Sequence, residues 1–142
     1  EHKTAQVFRT IDGVRYSAPG DHAKHLIDGS IEALGREAAC INTGGEKVFA
    51  EEVEEAVLRH QSVRDCVVVG VPSDVWGSEV VAVISLNSND LAAPTLDDIT
   101  STMQHLARYK HPKALAVVPH IRRSPAGKAD YPWARAIAMS HT

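Results

Sequence analysis

Apolar residues follow three different rhythms along this chain, and the changes of rhythm divide it. Residues 4–34 mix β-forming residues with the turn pairs Asp12-Gly13, Pro19-Gly20 and Asp28-Gly29, which predicts three or four short antiparallel strands. Such a small sheet has little to pack on by itself, so it is expected to be the end of a larger domain. From Phe49 the spacing turns helical. Phe49, Val53, Ala56 and Val57 share a face, Glu51, Glu52, Glu54 and Glu55 crowd the start, and Arg59 and His60 follow at the end. That order of charge complements the helix dipole and predicts a helix over about 51–60.

The third rhythm is the continuous apolar run. "VRDCVVVGVP" at 63–72 and "SEVVAVISL" at 78–86 read as two strands, both central, with Pro72, Asp74 and Gly77 making the turn between them. Thr95 and Asp98 then form a capping-box pattern, and Leu96, Ile99, Met103 and Leu106 recur at helical spacing until Pro112. "ALAVV" at 114–118 predicts a third strand, and "DYPWARAIAM" at 130–139 a last short helix. The order after residue 38 is helix, strand, strand, helix, strand, helix. This is an α+β unit with helices flanking a small sheet, preceded by a few antiparallel strands. The composition shifts near Arg36, which sets the expected boundary between a terminal β segment, 1–37, and a second domain, 38–142.

Composition narrows the function classes. A chain of 142 residues can bury roughly two-thirds of its unfolded surface, enough for one core. The formal net charge is -3, and the Lys and Arg residues are scattered without forming a stripe, which argues against nucleic acid as a partner. "CVVVGVP" at 66–72 is too short for a membrane span and no signal-like segment opens the chain, so a cytoplasmic protein is expected. Cys40 and Cys66 have no C-x-x-C spacing and no His at ligand distance, which predicts reduced thiols and no metal site. The eight histidines are dispersed, without the Ser or Cys partner that a nucleophilic triad needs. The chain begins at Glu1, without Met and in strand-like sequence, so it is expected to be a piece of something longer.

"INTGGEKVFAEEVE" at 41–54 sets a glycine pair before a helix, an arrangement that can turn backbone N–H groups toward an anion or simply close a hairpin. A phosphate loop of the Walker type is excluded. The only Gly-Lys step is Gly127-Lys128, with Arg122 where the first glycine belongs and Ala129 where the hydroxyl belongs.

Six segments come in one fixed order: "PGD" at 19–21, "GR" at 35–36, the glycine segment, "VVVGVPSDVWGSEVVAVI" at 67–84, "LARYKHPK" at 106–113 and "SPAGKAD" at 124–130. Together they resemble the C-terminal part of the adenylate-forming acyl-CoA synthetases, the superfamily of fatty-acyl-CoA ligases, luciferases and peptide-synthetase adenylation domains. The resemblance covers essentially the whole chain. It implies that a large N-terminal domain of the same chain carries the ATP phosphate loop and the carboxylate pocket, while 38–142 form a mobile lid. The implied reaction converts a carboxylic acid to acyl-AMP with ATP, then passes the acyl group to CoA. Magnesium is implied with ATP, its ligands lying outside this chain, and residues 1–142 alone are expected to be inactive.

The resemblance also assigns residues. Asp21 matches the aspartate that accepts hydrogen bonds from both ribose hydroxyls, a task suited to an ionised carboxylate with acceptors only. Pro19 stands where that motif usually has threonine. Arg36 matches the arginine near the ribose and phosphates, where its fork of donors fits an oxyanion. Lys128 matches the lysine that reaches the α-phosphate and the attacking carboxylate oxygen. After adenylation the lid is expected to rotate so that the glycine loop lines the CoA tunnel, with Gly44 and Gly45 letting pantetheine pass close to the backbone and Lys47 meeting a CoA phosphate. The hinge falls at Ala38, where the family often has Asp or Lys. Trp76 is read as packing. The "INTGGEKV" variant resembles bacterial ligases for long-chain or steroid side-chain acids. The rival readings are a free-standing lid that binds a nucleotide or a partner protein, and an adenylating enzyme that passes the acyl group to a carrier protein.

Overall fold

Two β-hairpins lead the chain, as the turn pairs predict. The computed structural model describes residues 7–18, 20–36, 39–87 and 92–141, without the side chains of 34–36. In the first hairpin β1 (Phe8–Ile11) pairs antiparallel with β2 (Val14–Ser17) around Asp12-Gly13, whose φ angles of 51° and 79° suit a two-residue turn. In the second, β3 (Asp21–His25) pairs antiparallel with β4 (Ile31–Arg36). Pro19 and the hinge candidate Ala38 lie outside the described residues.

The glycine segment is a third hairpin, of β5 (Cys40–Thr43) and β6 (Glu46–Phe49), and it runs directly into α1 (Ala50–Leu58). The helix is placed where the apolar spacing predicts, with Glu51 and Glu52 in its first turn and Val53, Ala56 and Val57 buried. It ends at Leu58, two residues earlier than His60, with Arg59 as C-cap.

β7 (Val63–Ser73) and β8 (Gly77–Leu86) form a long antiparallel hairpin, and β9 (Ala114–Val117) adds to β8 in parallel. Strand order is therefore β7-β8-β9. The expectation that both runs are central fails for β7, which lies at the edge of this sheet. A continuous apolar run reports that both faces are covered and says nothing about the position in the ladder. Coverage is indeed two-sided. Cys66, Val68, Val80, Ala82 and Ile84 pack on α1, the β5–β6 hairpin, Ile99 and Met103, while Val67, Val69, Val71, Val81 and Val83 pack on the last helix, α3 (Tyr131–Met139). Ala134 and Ala138 are the fully buried residues of α3, and their small side chains let the helix approach the strands closely. Val63 joins the even-numbered cluster because the ladder shifts register between Val63 and Asp65.

The connection from β8 to β9 departs from the sequence expectation. α2 spans only Leu96–Ser101, opened by the predicted box: Thr95 Oγ1 accepts from the Asp98 N–H, and Asp98 Oδ2 accepts from the Thr95 N–H. Helical spacing of apolar residues continues to Leu106, but the backbone does not. The Thr102 hydroxyl donates to Ala56 O of α1 at 3.1 Å, and His111 Nε2 sits 3.1 and 3.2 Å from the Met103 and Leu106 carbonyls. The Thr102 hydroxyl ties the end of α2 to α1, His111 sits at carbonyls that a longer helix would have bonded internally, and the chain tightens into turns. The α+β class expected from the sequence holds: helices cover both faces of a small mixed sheet.

Candidate functional site

The assigned residues fall on three parts of the structure. Asp21 and Arg36 are brought opposite each other as register partners at the open end of the β3–β4 hairpin, 15 positions apart in sequence but paired across the ladder. Sequence spacing alone gives no such pairing. The Arg36 side chain is not described.

Gly44 and Gly45 close the β5–β6 hairpin with φ of 56° and 86°, a pair of left-handed residues that glycine adopts without strain. Gly44 is also crowded. A Cβ built there would sit 3.1 Å from Trp76 Cε3, and the Gly44 N–H donates to Trp76 O at 2.9 Å. Trp76 therefore packs against this turn. Its ring is half exposed and lines a cleft of about 240 Å3 with Thr43, Gly44, Glu46, Tyr109 and Lys113. Lys47 stands on β6, opposite Asn42. The segment carrying Tyr109 is pinned from behind, where Lys110 Nζ donates to both Glu52 oxygens of α1 at 2.7 Å. Tyr109 and Lys113 went unnoticed as site candidates. The signal for them was the aromatic and basic character of "LARYKHPK", residues 106–113.

Lys128 lies near the tip of a fifth, tighter hairpin. Pro125 sets the turn, the Gly127 N–H donates to Ser124 O at 2.8 Å, and Gly127 takes φ of 77°. Arg123 and Ala129 bridge below it, and the Asp130 N–H donates to Arg122 O at 3.0 Å. Asp130 then caps α3 by accepting from the Trp133 N–H at 3.1 Å. The hairpin is thus continuous with a packed helix on one side. On the other, Arg123 holds Asp65 of β7 through two bonds, Nε to Oδ2 at 2.9 Å and Nη2 to Oδ1 at 2.6 Å.

The exposed Lys128 borders a cleft of about 450 Å3 with Glu51, Glu54, Arg123 and Tyr131. Charges here are unevenly solvated. Burial, countered by the Val68 N–H that Glu54 accepts at 2.9 Å and reinforced by the charge of Glu51, pushes the Glu54 carboxyl up to about 7. The Arg123 bonds hold Asp65 below the usual carboxylate range, and burial pushes the Cys66 thiol well up, which makes it a poor nucleophile. Cys40 and Cys66 are both free. The Lys128 cleft and the glycine-hairpin cleft share no lining residue. Among the described residues no group of three or more His, Cys, Asp or Glu is arranged to hold a metal, and no helix is long and apolar enough to cross a membrane.

Comparison with known proteins fits this arrangement. The chain is similar to the medium-chain acyl-CoA ligase Mig of Mycobacterium avium, 55% identical over 138 residues, covering 97% of this chain and 25% of that protein. It is similar to 3-oxocholest-4-en-26-oate--CoA ligase of Rhodococcus rhodochrous, 47% identical over 136 residues, covering 95% of this chain and 24% of that one. The amide bond synthetase McbA of Marinactinospora thermotolerans has a similar structure, with a TM-score of 0.78 and 28% identity over 95% of this chain and 27% of that chain. The chain therefore spans about a quarter of the length of the curated relatives it matches. Residues 52–128 match the family described as the AMP-binding enzyme C-terminal domain, which places the Lys128 hairpin at the end of the matched region, and the chain belongs to that family.

Proposed function

We propose that residues 1–142 are the C-terminal part of an ATP-dependent acyl-CoA ligase acting on a long-chain fatty or steroid side-chain acid, with 1–37 ending the large adenylating domain and 38–142 forming its lid. The observation that carries this reading is the placement of Lys128 on a hairpin tethered to both the sheet and α3, away from the glycine hairpin. The substrate class rests on the named activities of the relatives.

In the first half-reaction a carboxylate oxygen of the acid bonds to the α-phosphorus of ATP, and the bond from that phosphorus to the leaving pyrophosphate breaks. Negative charge shifts between oxygens as this happens. An ammonium held at the α-phosphate and the attacking oxygen stabilises that redistribution, and removing one such donor typically costs about a hundred- to a thousandfold in rate. Lys128 supplies it. Asp21 accepts the ribose hydroxyls, and Arg36, its register partner in the hairpin, is assigned to the same nucleotide by the family resemblance.

In the second half-reaction the CoA sulfur bonds to the acyl carbon and the carbon–oxygen bond to AMP breaks. The glycine hairpin serves this step. Side-chain-free Gly44 and Gly45 admit the pantetheine arm, Lys47 meets a phosphate, and Trp76 and Tyr109 offer aromatic surface beside the cleft. The two clefts share no lining residue, and in this reading rotation about Ala38 presents them in turn. Magnesium, which ATP brings, is assigned to the large domain.

The test uses the full-length ligase carrying Lys128→Ala, with the half-reactions assayed separately. Acyl-AMP formation should fall by about a hundredfold or more, while thioester formation from supplied acyl-AMP stays largely intact. Equal loss of both would assign Lys128 to folding or docking, and loss of neither would remove it from the chemistry.

A further inference from the structure

A cation on an exposed turn can stabilise a transition state only if the turn is held still, because misplacement by about 1 Å can cost on the order of a hundredfold. The bonds around Lys128 show how this one is held. The peptide unit joining Gly127 to Lys128 is fixed at both ends: Arg123 Nη1 donates to Gly127 O at 3.1 Å, and the Lys128 N–H donates to Ser124 Oγ at 3.2 Å. A peptide unit is planar, so two bonds to it fix the N–Cα bond of Lys128 and leave rotation about that bond to be restrained separately. The Lys128 carbonyl is held as well, by the Ser124 N–H at 2.8 Å.

Arg123 also reaches outside the hairpin. Its Nε and Nη2 take the two oxygens of Asp65, and Nη2 lies 3.4 Å from Cys66 O. Asp65 is oriented in turn, since its Oδ1 accepts the Cys66 N–H at 2.8 Å. Cys66 is buried in the sheet. A rigid planar fork therefore connects the backbone of β7 to the carbonyl immediately before Lys128, across 58 positions of sequence. Both partners are partly open to solvent, 34% and 27% exposed, so screening limits what the charges add to stability. Their geometry is the more consequential contribution.

We infer that Asp65 and Arg123 are positioning residues for the adenylation lysine, transmitting the rigidity of β7 to the Gly127–Lys128 peptide. The inference rests on the Lys128 reading above.

Arg123→Lys in the full-length ligase is the discriminating variant. A lysine keeps a cation beside Asp65 but cannot hold both Asp65 oxygens and Gly127 O in one fixed plane. Acyl-AMP formation should fall roughly ten- to a hundredfold in kcat with the KM for ATP nearly unchanged, and thioester formation from supplied acyl-AMP should be retained. Asp65→Asn should show the same split more weakly. The double variant Arg123→Lys with Lys128→Ala should be no slower than Lys128→Ala alone, since there is then nothing left to position. Unaltered adenylation in Arg123→Lys, beside a selective loss in Lys128→Ala, would overturn this inference and leave the Lys128 reading standing. Parallel loss of both half-reactions with a lowered unfolding midpoint would also overturn it, in favour of a purely structural pair. If Lys128→Ala shows no selective loss of adenylation, the underlying reading fails first and this one with it.

Discussion

Replacing Glu54 by glutamine should make the protein more stable at pH 8 and leave it little changed at pH 5. The Glu54 carboxyl is lifted from an ordinary 4.5 to about 7, with burial as the main cause. Below pH 4.5 the proton is bound in both folded and unfolded chains, and the contribution of Glu54 is fully present. As pH rises through 7 the unfolded chain has already released its proton, and the folded state must either retain it against solvent or expose a charge to a poorly solvating site. Stability is therefore lost with rising pH, chiefly between about 4.5 and 7. A displacement of that size corresponds to roughly 3 kcal/mol at about 1.4 kcal/mol per pH unit. Partial solvent access and the unbonded amide N–H groups of glutamine reduce the gain to about 1–2 kcal/mol. The glutamine Oε1 can still accept from the Val68 N–H, so the backbone bond at 2.9 Å survives the change. Asp65, held low by Arg123, acts with the opposite sign: its contribution is lost as pH falls below the ordinary carboxylate range, outside this window. Urea denaturation of the wild type and Glu54→Gln at pH 5, 6, 7 and 8, with the Glu54 carboxyl carbon followed by NMR, measures both quantities. A carboxyl that titrates near 4.5, or a variant equally destabilised at pH 5 and pH 8, would refute the reasoning.

Two glycine substitutions test the packing that shapes the loops. Gly44→Ala places a methyl 3.1 Å from Trp76 Cε3 at a φ of 56°, so it should cost about 1 kcal/mol and slow thioester formation more than acyl-AMP formation in the full-length ligase. Equal rates in the two half-reactions would disconnect the hairpin from the CoA step. Gly70→Ala places a methyl 2.8 Å from Ile41 Cγ2, a side chain that is itself buried, and should lower stability by about 1–3 kcal/mol. Its urea midpoint is the readout, and an unshifted midpoint would mean that β5 lies farther from β7 than described.

Much of the fold is legible from nearest neighbours. The two apolar runs, the box at Thr95 and Asp98, and the turn pairs each predict an element that is present. The early end of α2 was not legible, because it depends on Thr102 reaching Ala56 and on His111 folding back to Met103 and Leu106. The edge position of β7 was hidden for a related reason: α1 on one face and α3 on the other make an edge strand as apolar as a central one. Lys128, Gly44 and Gly45 could be singled out through an ordered set of motifs. Asp65 could not, although a charged residue beginning an apolar strand was a visible oddity.

Periodicity and turn chemistry act over a few residues, so hydrophobic spacing, caps and glycine pairs largely settle which helices and strands form and which loops are tight. The alignment of Asp21 with Arg36, the stacking of Trp76 on Gly44 and the tie from Asp65 through Arg123 to Gly127 join residues far apart in the chain. The first is set by the register of the β3–β4 hairpin, and the other two arise only when the sheet, its covering helices and the hairpins are packed together. Burial in that packing is also what raises Glu54, since a carboxylate responds to the solvent it loses and not to its place in the sequence.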